Sequence, residues 1–406
     1  MKIAMVSEHA NPLALGARDG GGQSLHVAGL AAALVARGEA VTVYTRRDGR
    51  GTPERATASR GYVVEQVSSG PPAPVPKEQL LRHMPEFTRQ LAARWSRDRP
   101  DLVHAHFWLS GMASLAATRD SGVPVVQTFH ALGVVRRRHE RSGDTSPPGR
   151  ERMEQAVGKT VARTLASSSD EAAELVRQGV PRRSVTVVAS GVDLELFQPE
   201  QARAIGDRPQ ILSAGQLIQR KGFDLLIQAL PRIPGAELTI AGGPERSELD
   251  RDPEAGRLHA LADGLRLRDR VRLIGRVDHA DMPELLHAAD VVACAPWYEP
   301  FGFVPLEAMA AGVPVVATAV GGHTDTIVDQ VSGLLVPPNQ PAHLARAVNR
   351  VLSDQVLHDS LGVAGSDRAR SRYSWQRVAT DTLRIYRQVV EEWGGAAVRR
   401  IAGVIR

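Results

Sequence analysis

The chain has 406 residues, 43% of them hydrophobic, and a formal net charge of +5. That length suits two ordinary domains, and Arg and Glu are mixed along it. The one dense basic run, Arg136 to Arg141, has no aromatic-plus-basic module beside it, which argues against a nucleic-acid partner. The single Cys294 lies in an apolar run and argues against a disulfide framework and a cysteine-based metal site. Met1-Lys-Ile leads directly into a strand and no apolar run approaches a membrane span, so a cytoplasmic, soluble protein without an integral membrane segment is expected.

Lys2 to Ser7 reads as a first buried strand. A loop, Glu8 to Asp19, leads to Gly20-Gly21-Gly22-Gln23 and an Ala-rich helix through Arg37. Strand, glycine-rich turn and helix form a phosphate cradle, because glycine admits the ligand to backbone amides and the helix N-terminus adds positive potential. The pattern lacks the dinucleotide-fingerprint spacing and the P-loop lysine, so a tight turn is the competing reading. Val41 to Thr45 is a second strand, and Pro71 to Pro76 a semi-rigid loop before a helix near Lys77. Asp101 to His106 and Val123 to His130 are strands that end in polar residues. A lone strand-end histidine is usually structural, but the C-terminal edge is where open α/β sheets bind ligands, and this makes His130 a site candidate. Residues 136–149 read as a surface loop. Thr164 to Ser169 and Val185 to Ala189 complete the first sheet, and a polar linker from Gln198 to Pro209 is expected to hold the hinge.

Ile211 to Gly215 opens the second half, followed by Gln216-Leu-Ile-Gln-Arg220-Lys221-Gly222 and an amphipathic helix, Phe223 to Leu230. Cations just before a helix suit a diphosphate, lysine as a point charge and arginine as a fork. Glu237 to Ala241, ending at Gly242-Gly243-Pro244, and Val271 to Gly275 are further strands. Asp250-Arg-Asp252 imitates a metal-binding Asp-x-Asp but stands remote from every motif and reads as solvated; no metal site is expected. Val291 to Ala295 is a buried strand that leads into Pro296 to Thr318, around which the chain is organised. Here Glu299, Pro300, Phe301 and Gly302 turn the chain into a helix with Pro305 near its first turn. Glu299 and Glu307, eight residues apart, are expected at one crevice, the first in the turn and the second in the helix's opening turn. The amides around Phe303 and Val304 suit a phosphate. Ser332 to Pro338 closes the second sheet. A last helix, Ser374 to Glu392, carries Trp375, Tyr386 and Trp393 on or near an apolar side, which reads as core.

EPFGFVPLEAMAAGVPVVAT resembles the signature of the family-4 retaining glycosyltransferases, and the likeness runs in order from Ile3 to about Tyr386. The resemblance implies an α/β, GT-B architecture: two facing Rossmann-like doubly wound domains, residues 1–197 and 208–384, with a C-terminal helix, about 385–406, crossing back to the first. It also implies a nucleotide-sugar donor carrying UDP or GDP, bound mainly by the second domain, a small-molecule acceptor bound mainly by the first, and no bound cofactor; a homodimer is one assembly it permits. Donor-binding positions would be Gly22, Gln216, Arg220, Arg276, Val277, Gly302, Phe303, Val304 and Glu307, and the turn Gly321-Gly322-His323 would face the donor. Lys221, Glu299 and His130 would carry catalysis. Where the family has an arginine this chain has Gln216, and Arg220 is expected to supply the missing cation.

Retention by double displacement needs a carboxylate nucleophile beneath the anomeric carbon, and the family offers none. Front-face substitution is therefore expected, with leaving-group stabilisation as the main catalytic effect. A degenerate nucleotide-sugar-binding protein and a pyridoxal-phosphate phosphorylase are the alternatives, the first kept open by Gln216 and the second unsupported by any motif. HAHFWLSG and TFHALG resemble the branch that glycosylates inositol phosphate in mycothiol synthesis, with the sucrose-phosphate synthases beside it. The acceptor-binding positions of that branch fall on Ser24, Lys77, Phe107, Ala131 and Arg150. Three of its five polar contacts are lost here, so an unphosphorylated acceptor of specialised metabolism is expected.

Overall fold

The computed structural model describes residues 1–14, 21–140, 145–200, 205 and 208–404, with side chains to Gly394. Part of the loop from Glu8 to Asp19, Gly20, Arg141, half of the linker and the last residues of the C-terminal helix lie outside the described residues. The chain divides into two units, each built on its own sheet: Met1–Gly191 with Trp375–Arg406, and Val192–Ser374.

The first unit holds β1 (Lys2–Val6), β2 (Ala40–Arg46), β3 (Arg55–Thr57), β4 (Val63–Val67), β5 (Leu102–His106), β6 (Val125–Thr128), β7 (Arg163–Ala166) and β8 (Val185–Val187). They run in the order β3-β4-β2-β1-β5-β6-β7-β8, parallel except for β3, which lies antiparallel to β4. Ile3, Met5, Val103 and Val126 are fully buried, as expected of parallel strands covered on both faces. The β3–β4 pair was not legible in sequence, because β3 is a three-residue polar edge strand and Glu65 and Gln66 interrupt β4. An ion pair across the two strands, Arg55 to Glu65 at 3.0 Å, replaces the missing apolar pattern.

The second unit holds β9 (Gln210–Ala214), β10 (Glu237–Ala241), β11 (Val271–Gly275), β12 (Val291–Cys294), β13 (Val315–Thr318) and β14 (Leu334–Val336). The order β11-β10-β9-β12-β13-β14 is parallel throughout and reverses between β9 and β12. This is the doubly wound order, whose ligand crevice lies beyond the carboxyl ends of the strands at the reversal. In the first sheet the corresponding point lies between β1 and β5.

The boundaries differ from those expected at residues 197 and 384. Val192 bridges Ser374 and its amide donates to the Tyr373 carbonyl at 2.8 Å, which ties this strand end to the second unit. The last helix starts at Trp375 and belongs wholly to the first unit. It packs on the helix Gly21–Val35 through Trp375, Val378, Tyr386 and Val389, in a core shared with Leu30 and Leu34. Gly29 makes the fit possible, since a Cβ there would stand 2.1 Å from the Trp375 indole. Among the described residues, no helix is long and apolar enough to cross a membrane.

Candidate functional site

In the second unit the loops after β9 and β12 are joined by their backbones. Trp297 N–H donates to the Arg220 carbonyl at 2.9 Å, and Arg220 returns a guanidinium bond to the Tyr298 carbonyl at 2.7 Å. Gly222 adopts φ 67°, and a Cβ there would fall 1.9 Å from the Ala295 oxygen; only glycine lets the turn Gln219–Lys221 seat against the end of β12. Lys221 Nζ thereby reaches Glu299 Oε2 at 2.7 Å. Glu299 is held from its other side by Gly322, whose amide donates to the Glu299 carbonyl at 2.9 Å.

Burial alone would push the Glu299 carboxyl up, but Lys221, Arg220 and His323 outweigh it and hold it down to about 2. The group is anionic at neutral pH. His323, buried, donates from Nδ1 to the Thr318 carbonyl at 3.0 Å, and burial lowers its pKa despite Glu299. Gly302, φ 96°, caps the helix Phe303–Ala310, whose first amides, those of Phe303 and Val304 among them, have no intrahelical acceptor.

Two expectations for this unit are corrected, those for Glu307 and Asp252. Glu307 lies in the second turn of its helix, not the first, and is already paired, with His279 Nε2 2.8 Å from its Oε1. Arg276 spends its amide on the Pro244 carbonyl at 2.8 Å; its guanidinium reaches Glu245 at 3.4 Å, and Val277 beside it is half-buried. Asp252, read as solvated, caps the helix Pro253–Gly264 by accepting the Glu254 and Ala255 amides. Gln216 is exposed in the turn preceding Arg220.

The His279–Glu307 contact predicts a pH dependence. Burial lowers the His279 pKa, but the hydrogen bond and charge of Glu307 outweigh it and raise the value above that of an ordinary histidine. Its stabilisation is therefore complete below about 6.5, the unfolded value, and is lost as pH rises through the folded value. Thermal unfolding of wild type against His279→Phe, followed across pH, should show the gap between them close on the alkaline side. A gap that widens there would overturn the assignment.

In the first unit the site gathers around histidines. Gln23 Nε2 donates to Ser7 Oγ at 3.0 Å and to the His106 carbonyl at 3.4 Å, pinning the start of the helix Gly21–Val35 to the ends of β1 and β5. Gly22 is the second residue of that helix. His106 Nδ1 lies 3.0 Å from His130 Nε2. His26 packs edge-on to His130 at 5.0 Å between ring centroids, and its Nδ1 meets Ser190 Oγ at 2.5 Å. His104, behind them, joins Thr128 Oγ1 at 2.9 Å and Tyr386 OH at 2.6 Å. Burial lowers His26 to about 4 and pushes His104, His106 and His130 well below the ordinary histidine range, so all four rings are neutral at pH 7.

The expected acceptor residues divide. Phe107, in a left-handed backbone at φ 76°, touches the His9 ring at 4.8 Å, and Ala131 is half-buried beside His130. Arg150 departs from expectation: it is 3% exposed, its Nε is 2.7 Å from Glu154, and it also donates to Ser146 and the Ala131 carbonyl while lying over the Phe107 ring. Its charge is spent inside the unit. Ser24 is fully buried and its hydroxyl has no partner among the described residues, so it does not line an open wall. Lys77 opens the turn Lys77–His83 and is half-buried. Sequence reasoning missed His26 and Gln23. Their signal was position, since both fall in the first two turns of a helix that starts at the ligand edge, and His26 follows Gly22 by one helical turn.

Two Rossmann-like units, one with a lysine–carboxylate pair at its switch point and the other with polar residues at its strand ends, define a GT-B type glycosyltransferase. The comparisons agree over nearly the whole chain. Residues 20–196 match the model "Glycosyltransferase Family 4" and residues 196–368 match "Glycosyl transferases group 1". D-inositol 3-phosphate glycosyltransferase from Acidothermus cellulolyticus is 35% identical, covering 99% of this chain and 93% of its own. The enzyme of the same description from Mycobacterium marinum is 32% identical, covering 98% of this chain and 88% of its own. Among solved structures, sucrose-phosphate synthase from Thermosynechococcus elongatus superposes with a TM-score of 0.88 at 30% identity, covering 96% of this chain and 99% of that one. The chain belongs to the family-4 glycosyltransferases and is a transferase enzyme.

Proposed function

We propose that this enzyme transfers a sugar, with retention, from a nucleoside diphosphate donor, UDP or GDP, to a small unphosphorylated acceptor. The Lys221–Glu299 pair at the switch point of the second sheet carries the reading. Lys221 stabilises the diphosphate that leaves, with Arg220 and the amides of Gly22 and Val304 as further donors. Glu299, anionic and fixed, accepts hydroxyls of the donor sugar. Glu307 accepts ribose hydroxyls with its second oxygen while His279 holds the first. The acceptor attacks from the face the diphosphate leaves, and the departing phosphate oxygen takes its proton. The neutral His130 contacts the sugar.

The relatives named as inositol 3-phosphate glycosyltransferases favour a second reading, in which the acceptor here is also an inositol phosphate. Against it stand the commitment of Arg150 to Glu154, the burial of Ser24, and Phe107, which has no hydroxyl to donate. A dianionic phosphate bound without partners is costly. Release of nucleoside diphosphate, measured over a panel of UDP- and GDP-sugars with phosphorylated and unphosphorylated acceptors in excess chelator, tests both readings. Turnover with an aminocyclitol or similar neutral or zwitterionic acceptor is expected. Robust transfer to inositol phosphate alone would select the second reading, and complete loss of turnover in chelator would overturn leaving-group stabilisation by side chains.

A further inference from the structure

The first unit places His26, His106 and His130 so that one ring nitrogen of each lies within 4.8 Å of the others. Three different elements supply them: the helix after the glycine turn, the end of β5, and the residue two beyond β6. We propose that these three histidines bind a divalent transition metal of the zinc class.

The donor set suits such a metal and no other common class. Imidazole alone, without carboxylate or thiolate, favours zinc, cobalt, nickel or copper over magnesium or calcium. His106 contributes a fully buried ring whose Nδ1 lies 3.0 Å from His130 Nε2. The support behind the rings is also that of a metal site. Ser190 holds His26 through Nδ1, which leaves Nε2 as the remaining ring nitrogen, and Trp375 packs edge-on to the same ring at 5.7 Å. Outer partners of this kind fix the tautomer and orientation of a ligating histidine.

Zinc–nitrogen bonds of about 2.0–2.1 Å place tetrahedral ligands roughly 3.4 Å apart. The His106–His130 pair already stands at 3.0 Å. His26 must therefore draw in by about an ångström to complete the set. His130 sits at φ 62°, a backbone held away from its ordinary basin, and such strain concentrates at ligand sites. Three protein ligands leave a fourth position open, as in zinc sites that accept an exogenous group.

The test is direct binding, so it is independent of whether the proposed transfer reaction is correct. Metal-free full-length protein is titrated with zinc by calorimetry and with cobalt by visible absorption. One equivalent is expected to bind, with the intense visible bands of four-coordinate cobalt. His26→Phe and His130→Asn should each abolish that equivalent, and Ser190→Ala should weaken it about 10-fold, the scale of losing an outer partner. Unchanged far-UV dichroism in each variant confirms that folding is intact; if one variant misfolds, the other two decide. Wild type without the equivalent, or His130→Asn and Ser190→Ala binding as tightly as wild type, would overturn the site.

Discussion

Lys221→Ala should lower kcat by about two to three orders of magnitude at saturating donor, the scale of losing one preorganised electrostatic donor. Nζ is the charge nearest Glu299 and projects from a turn whose path is dictated by Gly222 against the Ala295 carbonyl. Removing it withdraws stabilisation of the leaving diphosphate. It also leaves a carboxylate that burial alone would raise, with only Arg220 and His323 to hold it down. In wild type the low Glu299 pKa contributes stability that is present above the ordinary carboxylate value and is lost only as pH falls through about 2. In the variant that loss should begin at higher pH. Lys221→Arg should restore the stability but not the full rate, because a planar fork cannot replace a point charge in the same space. Steady-state kcat and acid unfolding of the three proteins check this; turnover near wild type in Lys221→Ala would refute the assignment.

The second large effect falls on stability. Arg150→Ala removes one partner of a buried ion pair whose side chains are 4% and 1% exposed, and should destabilise the first unit by about 3–5 kcal/mol. With about 2–4 °C of melting temperature per kcal/mol for a unit of this size, the midpoint should drop by roughly 6–20 °C. The loss compounds, because Glu154 also holds the Gly133 amide at 2.8 Å and Arg150 stacks on Phe107. Glu154→Ala should cost a similar amount. If Arg150 instead grips an acceptor phosphate, the midpoint would stay within a degree or two while KM for a phosphorylated acceptor rose. Calorimetry beside acceptor kinetics separates a structural arginine from a substrate arginine.

Much of this protein is written locally. The apolar runs of β1, β5, β6, β9, β12 and β13 announce buried parallel strands, because a strand covered on both faces has no polar register to keep. Gly222 and Gly321 mark turns that must pass close to another backbone, and both, like Gly302, have positive φ. Lys221 and Glu299 were legible as candidates for the same reason: each follows a strand end within a few residues, and the strand order of a doubly wound sheet brings such ends together. The family was legible from those motifs alone.

What sequence could not decide is which charges meet. Glu307 and His279 are 28 positions apart, Lys221 and Glu299 78, and His26 and Ser190 164. Arg150 looked available until packing set Glu154, one helical turn away, against it in an interior with no water to compete. The polar strand β3 and the division at Gly191 likewise depend on a partner strand and on the seating of Trp375 against Gly29. Residue type and spacing determined the strands, the turns and the chemistry at their ends, because burial and backbone freedom are local demands. Tertiary structure alone decided which of those groups are neutralised, which are neutral and which still carry charge, because that depends on neighbours brought from distant parts of the chain.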